Sequence, residues 1–264
     1  MDIQNKNIDG GKAFDWGRTS EDYAKFRDIY PEAFYQAILS RGFCKAGQHC
    51  LDLGTGTGVL PRNLFHAGAQ WCGTDISPEQ IEQAKLLAAQ AGMQIDFRTA
   101  SAETTDYPDN SFDVVTACQC YWYFNPETAY PNIARMLRQN GALVLLYMGW
   151  LADEDKIADA SEKLVLKYNP AWTGGGDKRH LIQPPQEIAD HFEITEQTMF
   201  DLPVHFTRAA WHGRMRACRG VGASLDAAQL KAWDNDHRKM LDENAPEEFD
   251  ILHYAAITVL RVKK

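Results

Sequence analysis

The chain has 264 residues, with 27 lysines and arginines against 36 aspartates and glutamates, and a formal net charge of −9. That balance argues against a nucleic-acid backbone as the main partner, because phosphate binding needs a basic surface. Hydrophobic residues make up 45% and charged residues 24%, ordinary globular usage for a chain that can bury a core without staples. The six cysteines form no C-x-x-C pair, and no histidine pair stands at zinc-finger spacing, so no metal site is expected. Cys50 and Cys72 lie in apolar strand-like runs and read as small core residues of a reducing compartment. The start is polar and lacks a signal-peptide core, and the apolar run around Leu143 to Trp150 is too short to span a bilayer. A soluble, cytoplasmic protein with no membrane partner is the expectation.

In chain order, the first thirteen residues read as a loose polar tail, followed by helical pieces at Glu21 to Arg27 and Pro31 to Leu39, with Ser20 as a cap. His49 to Leu53 is a short apolar strand running into glycines, and Val59 to Ala67 is helical. Gln70 to Thr74 is a second strand. Ser77-Pro78-Glu79-Gln80 opens a helix, with Ser77 as cap, proline at the first position and Gln80 at the capping-box position. That helix runs to about Ala91 and stops at Gly92. Strands at Gln94 to Thr99 and Phe112 to Thr116, a helix at Pro126 to Leu137 and a strand at Gly141 to Met148 follow. Strand and helix alternating in this way imply a parallel, doubly wound sheet with helices on both faces.

Past Trp150 the alternation fails. Ala152 to Tyr168, Ala209 to Arg219 and Asp226 to Leu241 read as helices, and Phe192 to Phe200 and Asp250 to Val262 as strands. The two strands are expected to complete a Rossmann-like, mostly parallel seven-stranded sheet as an antiparallel pair at one edge. The expected organisation is one domain over 1–264: a helical cap at 1–47, a cofactor-binding core at 48–150, and a helical lid at about 150–190 and 207–247.

The most informative stretch is Leu51-Asp52-Leu53-Gly54-Thr55-Gly56-Thr57-Gly58, which follows a strand and opens a helix. Glycines permit the tight turn and a close approach of backbone to ligand, and the helix amides can face a polar ligand group. A dinucleotide fingerprint would need a glycine at Val59, and a phosphate-binding P-loop would need a following G-K-[ST]; neither is present. Asp75, at the end of the second strand, stands where an acid binds ribose hydroxyls in nucleoside sites; Ser77 is expected to act as the helix cap and leave Asp75 free.

Taken with Ser101-Ala102-Glu103 and the run Tyr107-Pro108-Asp109-Asn110-Ser111-Phe112-Asp113-Val114-Val115, these motifs resemble class I S-adenosylmethionine-dependent methyltransferases over about residues 20 to 150. The resemblance implies S-adenosylmethionine as cofactor. Gly54, Thr55, Gly56 and Gly58 would hold its methionine part and Asp52 would sit near its ammonium. Asp75 would take the ribose hydroxyls, Ile76 the adenine face, and Ser101, Ala102 and Glu103 the adenine edge. The family's usual aspartate falls at Ser101. Tyr23, Arg27 and Tyr30-Pro31 resemble the opening of trans-aconitate methyltransferase-like proteins, a group placed here beside ubiquinone-biosynthesis-type small-molecule methyltransferases. Asp28-Ile29 departs from that opening as an insertion. Ala117-Cys118-Gln119-Cys120-Tyr121-Trp122-Tyr123-Phe124 resembles a second motif of the group, with Trp122 where a histidine is usual. The resemblance makes Tyr23, Arg27, Cys118 and Gln119 cofactor contacts, and it carries no base to Trp122.

Methyl transfer from a sulfonium is an in-line displacement, in which the protein supplies alignment and exclusion of water. Tyr121, Trp122, Tyr123, His180 and Trp211 are the candidate substrate-pocket residues; His205 and His212 are further lid candidates, and no catalytic residue is assigned. The aromatics serve equally as packing between strand and helix, and Lys178-Arg179-His180, beside a glycine run, reads as an acid-binding group or, more often for such a run, a solvated face. The expected function is methyl transfer to a small-molecule acceptor. Methylation of protein or RNA, and a catalytically silent cofactor-binding module, are the alternatives.

Overall fold

The computed structural model describes residues 4, 6 and 8–263. Its elements in chain order are α1 (Ser20–Phe26), α2 (Glu32–Ser40), β1 (His49–Leu53), α3 (Val59–Leu64), β2 (Gln70–Asp75), α4 (Pro78–Gln90), β3 (Asp96–Thr99), β4 (Phe112–Cys118), α5 (Pro126–Met136), β5 (Leu137–Trp150), α6 (Lys156–Tyr168), β6 (Phe192–Thr207), α7 (Arg208–Arg216), α8 (Ala227–Asn244) and β7 (Glu248–Val262). The strands form one seven-stranded sheet in the order β3-β2-β1-β4-β5-β7-β6, a Rossmann-like α/β architecture. Four pairings are parallel: β1 with β2, β1 with β4, β2 with β3, and β4 with β5. β7 runs against its neighbours. Leu151 N–H reaches the Leu252 carbonyl while Arg261 reaches the Asn140 carbonyl, so residue numbers descend on one side as they climb on the other. β6 is the outermost strand, and the late pair at one edge is as expected.

The interior strands carry continuous apolar runs because both faces are covered. Val114, Val115 and Ala117 on β4 and Ala142 to Leu146 on β5 are all buried. Each fully buried leucine or valine side chain contributes about 1.5–3 kcal/mol. α3 packs on β2, and α4 packs on β2 and β3. There Ile81, Ala84 and Ala88 close over Phe97.

The chain divides into two compact units: Met1–Ile29 with Gly149–Arg179 and Asp201–Tyr254, and Tyr30–Met148 with His180–Phe200 and Ala255–Lys264. The expected cap at 1–47 is therefore split. α2 belongs with the second unit, where Tyr30 stacks on Phe34 at 4.6 Å and Arg41 joins Glu196 of β6.

Several local expectations are corrected. Of the polar tail, residues 1–3, 5 and 7 lie outside the described residues, but Asp9 is buried. Its carboxylate accepts Arg219 Nε at 2.8 Å and the Thr173 N–H at 2.7 Å, so this part of the tail is held by charge-assisted bonds. α1 begins at Ser20 itself, and Thr19 is the residue before it, its hydroxyl donating to the Trp16 carbonyl. α6 starts at Lys156, not near Ala152, because the Asp155 carboxylate accepts the Ile157 and Ala158 amides and sets the start. β5 begins four residues early: Phe112 pairs with Leu137 and Val114 with Ala142, an irregularity that absorbs Arg138 to Gly141.

Candidate active site

The sheet order reverses between β1 and β4, whose neighbours β2 and β5 lie to opposite sides. In open α/β sheets the crevice at the carboxyl ends of such strands is where ligands bind. The segments leaving β1 and β4 flank it, and both belong to the second unit.

After β1, Gly54, Gly56 and Gly58 all take positive φ, at 62°, 55° and 73°. Gly54 and Gly58 are also sterically fixed. A Cβ on Gly54 would lie 2.7 Å from Cys120 Sγ, and one on Gly58 would lie 2.6 Å from Phe97 Cζ. The Cys120 thiol donates to the Leu53 carbonyl at 3.0 Å, which clasps the β4 exit onto the glycine loop. Thr57 Oγ1 is buried in that loop with no hydrogen-bond partner among the described residues. A backbone cradle that tolerates no Cβ, with an unpartnered buried hydroxyl, fits a polar ligand held at the start of α3.

Two carboxylates stand beside the loop. Asp52 is buried on β1 opposite Thr116 of β4, whose hydroxyl donates to it at 2.6 Å. Burial pushes its carboxyl up to about 7, and the nearby Asp75 adds to the rise against the hydrogen bond from Thr116. Asp75 ends β2. One of its oxygens accepts the Gly56 N–H at 2.9 Å and the other the Ser77 N–H at 2.9 Å. Burial raises its carboxyl too, opposed by the amides of Ser77, Gly56 and Ile76. The expectation that Ser77 frees Asp75 is thus corrected. Ser77 Oγ does cap α4 through the Gln80 N–H, but the Ser77 N–H turns back to Asp75 where a full capping box would give it to Gln80.

The stretch after β3 is already engaged within the chain. The Ser101 hydroxyl pairs with that of Thr104, and the Ala102 carbonyl accepts the Asn132 amide. Glu103 accepts the Asn125 N–H at 2.7 Å, at the residue that caps α5.

At the end of β4, Gln119 adopts a positive φ of 58°. Its side-chain amide donates to the Tyr30 hydroxyl at 3.0 Å, and the Cys118 thiol meets the same oxygen at 3.3 Å. Tyr30 therefore ties α2's approach to the β4 exit. Sequence reasoning quoted it in a motif but gave it no role. Beyond Cys120, a 3-10 turn carries Tyr121 to Tyr123. Tyr121 is buried, whereas Trp122 and Tyr123 are half-buried. Trp122 lies edge-on to Tyr147 of β5 at 5.8 Å, and Tyr147 lies 5.4 Å from the exposed His180. Tyr147 was missed because an aromatic inside an apolar strand reads as core.

Three expected site residues fall in the first unit. Arg27 lies over the Tyr23 ring at 4.6 Å. Trp211 is fully buried, and its indole donates to Ser161 Oγ at 2.9 Å, so it is packing in this conformation and offers no open face. The lid candidate His212 is likewise buried, bridging Asp234 and His237.

Comparison with known proteins gives the family. A family model described as a methyltransferase domain matches residues 51–145, from β1 through the core of β5. A ubiquinone biosynthesis O-methyltransferase from Bradyrhizobium diazoefficiens is 30% identical over 178 residues, 65% of this chain and 68% of that protein. A Dictyostelium discoideum protein named as a candidate methyltransferase is 25% identical over 258 residues, covering 88% of this chain and 91% of the other. Among solved structures, a candidate Type II methyltransferase from Anaeromyxobacter dehalogenans shares the fold, with a TM-score of 0.57, 18% identity, and coverage of 88% and 97% of the two chains. The chain belongs to the class I S-adenosylmethionine-dependent methyltransferases, and S-adenosylmethionine is its methyl donor.

Proposed function

We propose that the protein methylates a small-molecule acceptor, and that the acceptor is a planar aromatic compound with a hydroxyl as nucleophile. The observation that carries the reading is the group of Trp122, Tyr123, Tyr147 and His180, aromatic side chains left partly open where β4 and β5 end beside the glycine loop. Flat side chains set edge-on to one another favour a flat apolar ligand. The O-methyltransferase relative is named for ubiquinone biosynthesis, and its acceptor class supports the reading by analogy.

The residues in hand fit the cofactor. The 54–58 loop and the first amides of α3 would hold its methionine end, Asp52 would lie toward its ammonium, and Asp75 toward its ribose. The adenine would lie by Ile76 and Ala102. Tyr23 and Arg27 belong to the first unit, where Arg27 donates to the Tyr23 hydroxyl at 3.3 Å. When bound, the cofactor supplies a methyl group on a sulfonium, ready for in-line displacement. The chain's own contribution is to orient the acceptor and exclude water from the crevice. Cys120, clasped to Leu53, holds the β4 exit in place, and Tyr30 braces Gln119. The cytoplasm is the proposed compartment, in keeping with six free thiols. Among the described residues no helix is long and apolar enough to cross a membrane.

The test is release of S-adenosylhomocysteine over a panel of phenols, catechols and carboxylic acids. Trp122→Ala and Tyr147→Ala are expected to raise the acceptor KM at least tenfold while leaving S-adenosylhomocysteine affinity within twofold. Turnover on a peptide or RNA fraction, with none on the panel, would replace this reading.

A further inference from the structure

A cavity of about 410 Å³ opens at the other ends of the strands in the second unit. It lies at the amino ends of β1, β4 and β5 and at the carboxyl end of β7, remote from the glycine-loop crevice. Three arginines line it, in a chain whose acids outnumber its bases by 36 to 27.

The three differ in what they already hold. Arg41 is engaged on every nitrogen: Nε with Glu196 at 2.8 Å, Nη2 with Thr198 at 2.8 Å, and Nη1 with the Ala37 carbonyl at 2.5 Å. Arg138 gives Nη1 to Asp113 at 2.6 Å and Nε to the Asn110 carbonyl at 3.3 Å, and its Nη2 meets no acceptor among the described residues. Arg261 gives only Nη1, to the Asn140 carbonyl at 2.5 Å; its Nε and Nη2 meet none. Its guanidinium lies over the Phe43 ring at 5.5 Å, which fixes the plane of the fork. Asp113 is the one carboxylate among the residues lining the cavity, and its Oδ2 accepts both Arg138 Nη1 and the His49 N–H. Arg138 Nη2 and Arg261 Nε and Nη2 thus remain as donors that no carboxylate lining the cavity engages.

We propose that this cavity binds a multiply charged small oxyanion through the remaining N–H groups of Arg138 and Arg261. A planar guanidinium fork matches the paired oxygens of phosphate and carboxylate, and a partly enclosed position strengthens the charge-assisted bonds. Arg138 retains 41% of its side-chain exposure and Arg261 is half-buried, so the donors are reachable from solvent but not fully hydrated. The site makes no use of the methyl-transfer crevice and does not rest on the acceptor proposed above.

The experiment is calorimetric titration with inorganic phosphate and, separately, succinate, each at constant ionic strength held with chloride. Saturable one-to-one binding of either anion is expected, and the stronger of the two identifies the source class. Arg138→Gln and Arg261→Gln should each weaken it at least tenfold, and Arg261→Lys, which keeps charge but loses the fork, should fall between. Arg179→Gln, whose guanidinium is engaged by Glu154 and Asp201, should leave it unchanged. Unaltered S-adenosylhomocysteine affinity in each variant reports intact folding. No saturable binding of either anion, or equal binding in Arg138→Gln, Arg261→Gln and wild type, overturns the proposal.

Discussion

The carboxylate of Asp75, at the end of β2, accepts the amide hydrogen of Gly56, in the loop after β1, at 2.9 Å. Its other oxygen holds Ser77 at the start of α4. One side chain therefore fixes the glycine loop and the next helix together. Asp75→Ala is expected to lower S-adenosylhomocysteine affinity by about 10- to 150-fold, equivalent to about 1.5–3 kcal/mol. Asp75→Asn, which keeps one accepting oxygen, should lose less. Calorimetry beside far-UV circular dichroism checks this, and unchanged affinity in a folded Asp75→Ala protein would reduce Asp75 to a strand-end acid.

Asp52 gives a pH prediction. Its carboxyl is pushed up to about 7 in the folded chain from an ordinary 3.8, so between those values the folded state keeps a proton that the unfolded state has lost. The contribution from this group is full below about pH 4 and declines as pH rises through about 7. Urea unfolding of wild type and Asp52→Asn at pH 5 and pH 8 should show the wild type losing about 1–3 kcal/mol relative to the variant at the higher pH. A pH-independent difference would show that Asp52 is ionised throughout.

The buried histidines act in the opposite sense. His212 Nε2 meets Asp234 at 3.1 Å, the two Nδ1 atoms of His212 and His237 lie 2.9 Å apart, and His237 Nε2 meets Ser161 at 3.0 Å. If neutral His212 donates to Asp234, its Nδ1 must accept from His237 Nδ1–H, while His237 Nε2 and the Ile157 carbonyl both face the single Ser161 hydroxyl. A proton added to His212 sets donor against donor at the two Nδ1 atoms. Burial lowers both groups, His212 to about 4 with help from Arg238, and His237 to about 3 with help from His212 and Arg238. Asp234, Arg216 and Asp22 complete the surrounding charges. Because the folded values lie below the ordinary 6.5, stability is lost as pH falls from about 6.5 toward 4. Hydrogen exchange at pH 7 and pH 5 should show α6, α7 and α8 opening more readily at the lower pH, and His237→Gln should flatten that dependence.

Gly54→Ala is expected to abolish measurable S-adenosylhomocysteine binding, through a φ of 62° and the approach to Cys120. Adding Cys120→Gly should restore part of it, because the steric conflict is relieved while the backbone strain of about 1 kcal/mol stays. No recovery in the double variant would place the whole cost in the backbone.

What could be read from sequence follows from how local each signal is. β1 was bounded at His49 and Leu53 because glycines follow it directly, and α4 because Ser77 and Pro78 mark its first turn. The long late strands were underestimated. Arg138-Gln139-Asn140 looks like a turn, yet it lies within β5, and the Asp201-Leu202-Pro203 stretch looks like a strand end, yet β6 continues to Thr207. Partners distant in sequence left no trace at all. Nothing in the order of residues joins Asp9 to Arg219, Tyr30 to Gln119, or Asp75 to Gly56. Trp211, in a mixed run, and Tyr147, in an apolar one, show the same limit from two sides, since only packing decides that the first is enclosed and the second partly open.

The first unit is assembled from three separate stretches of chain, and β5, β6 and β7 each pass from one unit to the other. No single splice can therefore graft it onto a related enzyme. A recombinant joined at one junction between these stretches would inherit one half of the Asp9–Arg219 pair without the other. Exchanging the whole unit by recombination needs five coordinated crossovers, so point substitution is the more accessible route by which relatives of this chain can diverge there.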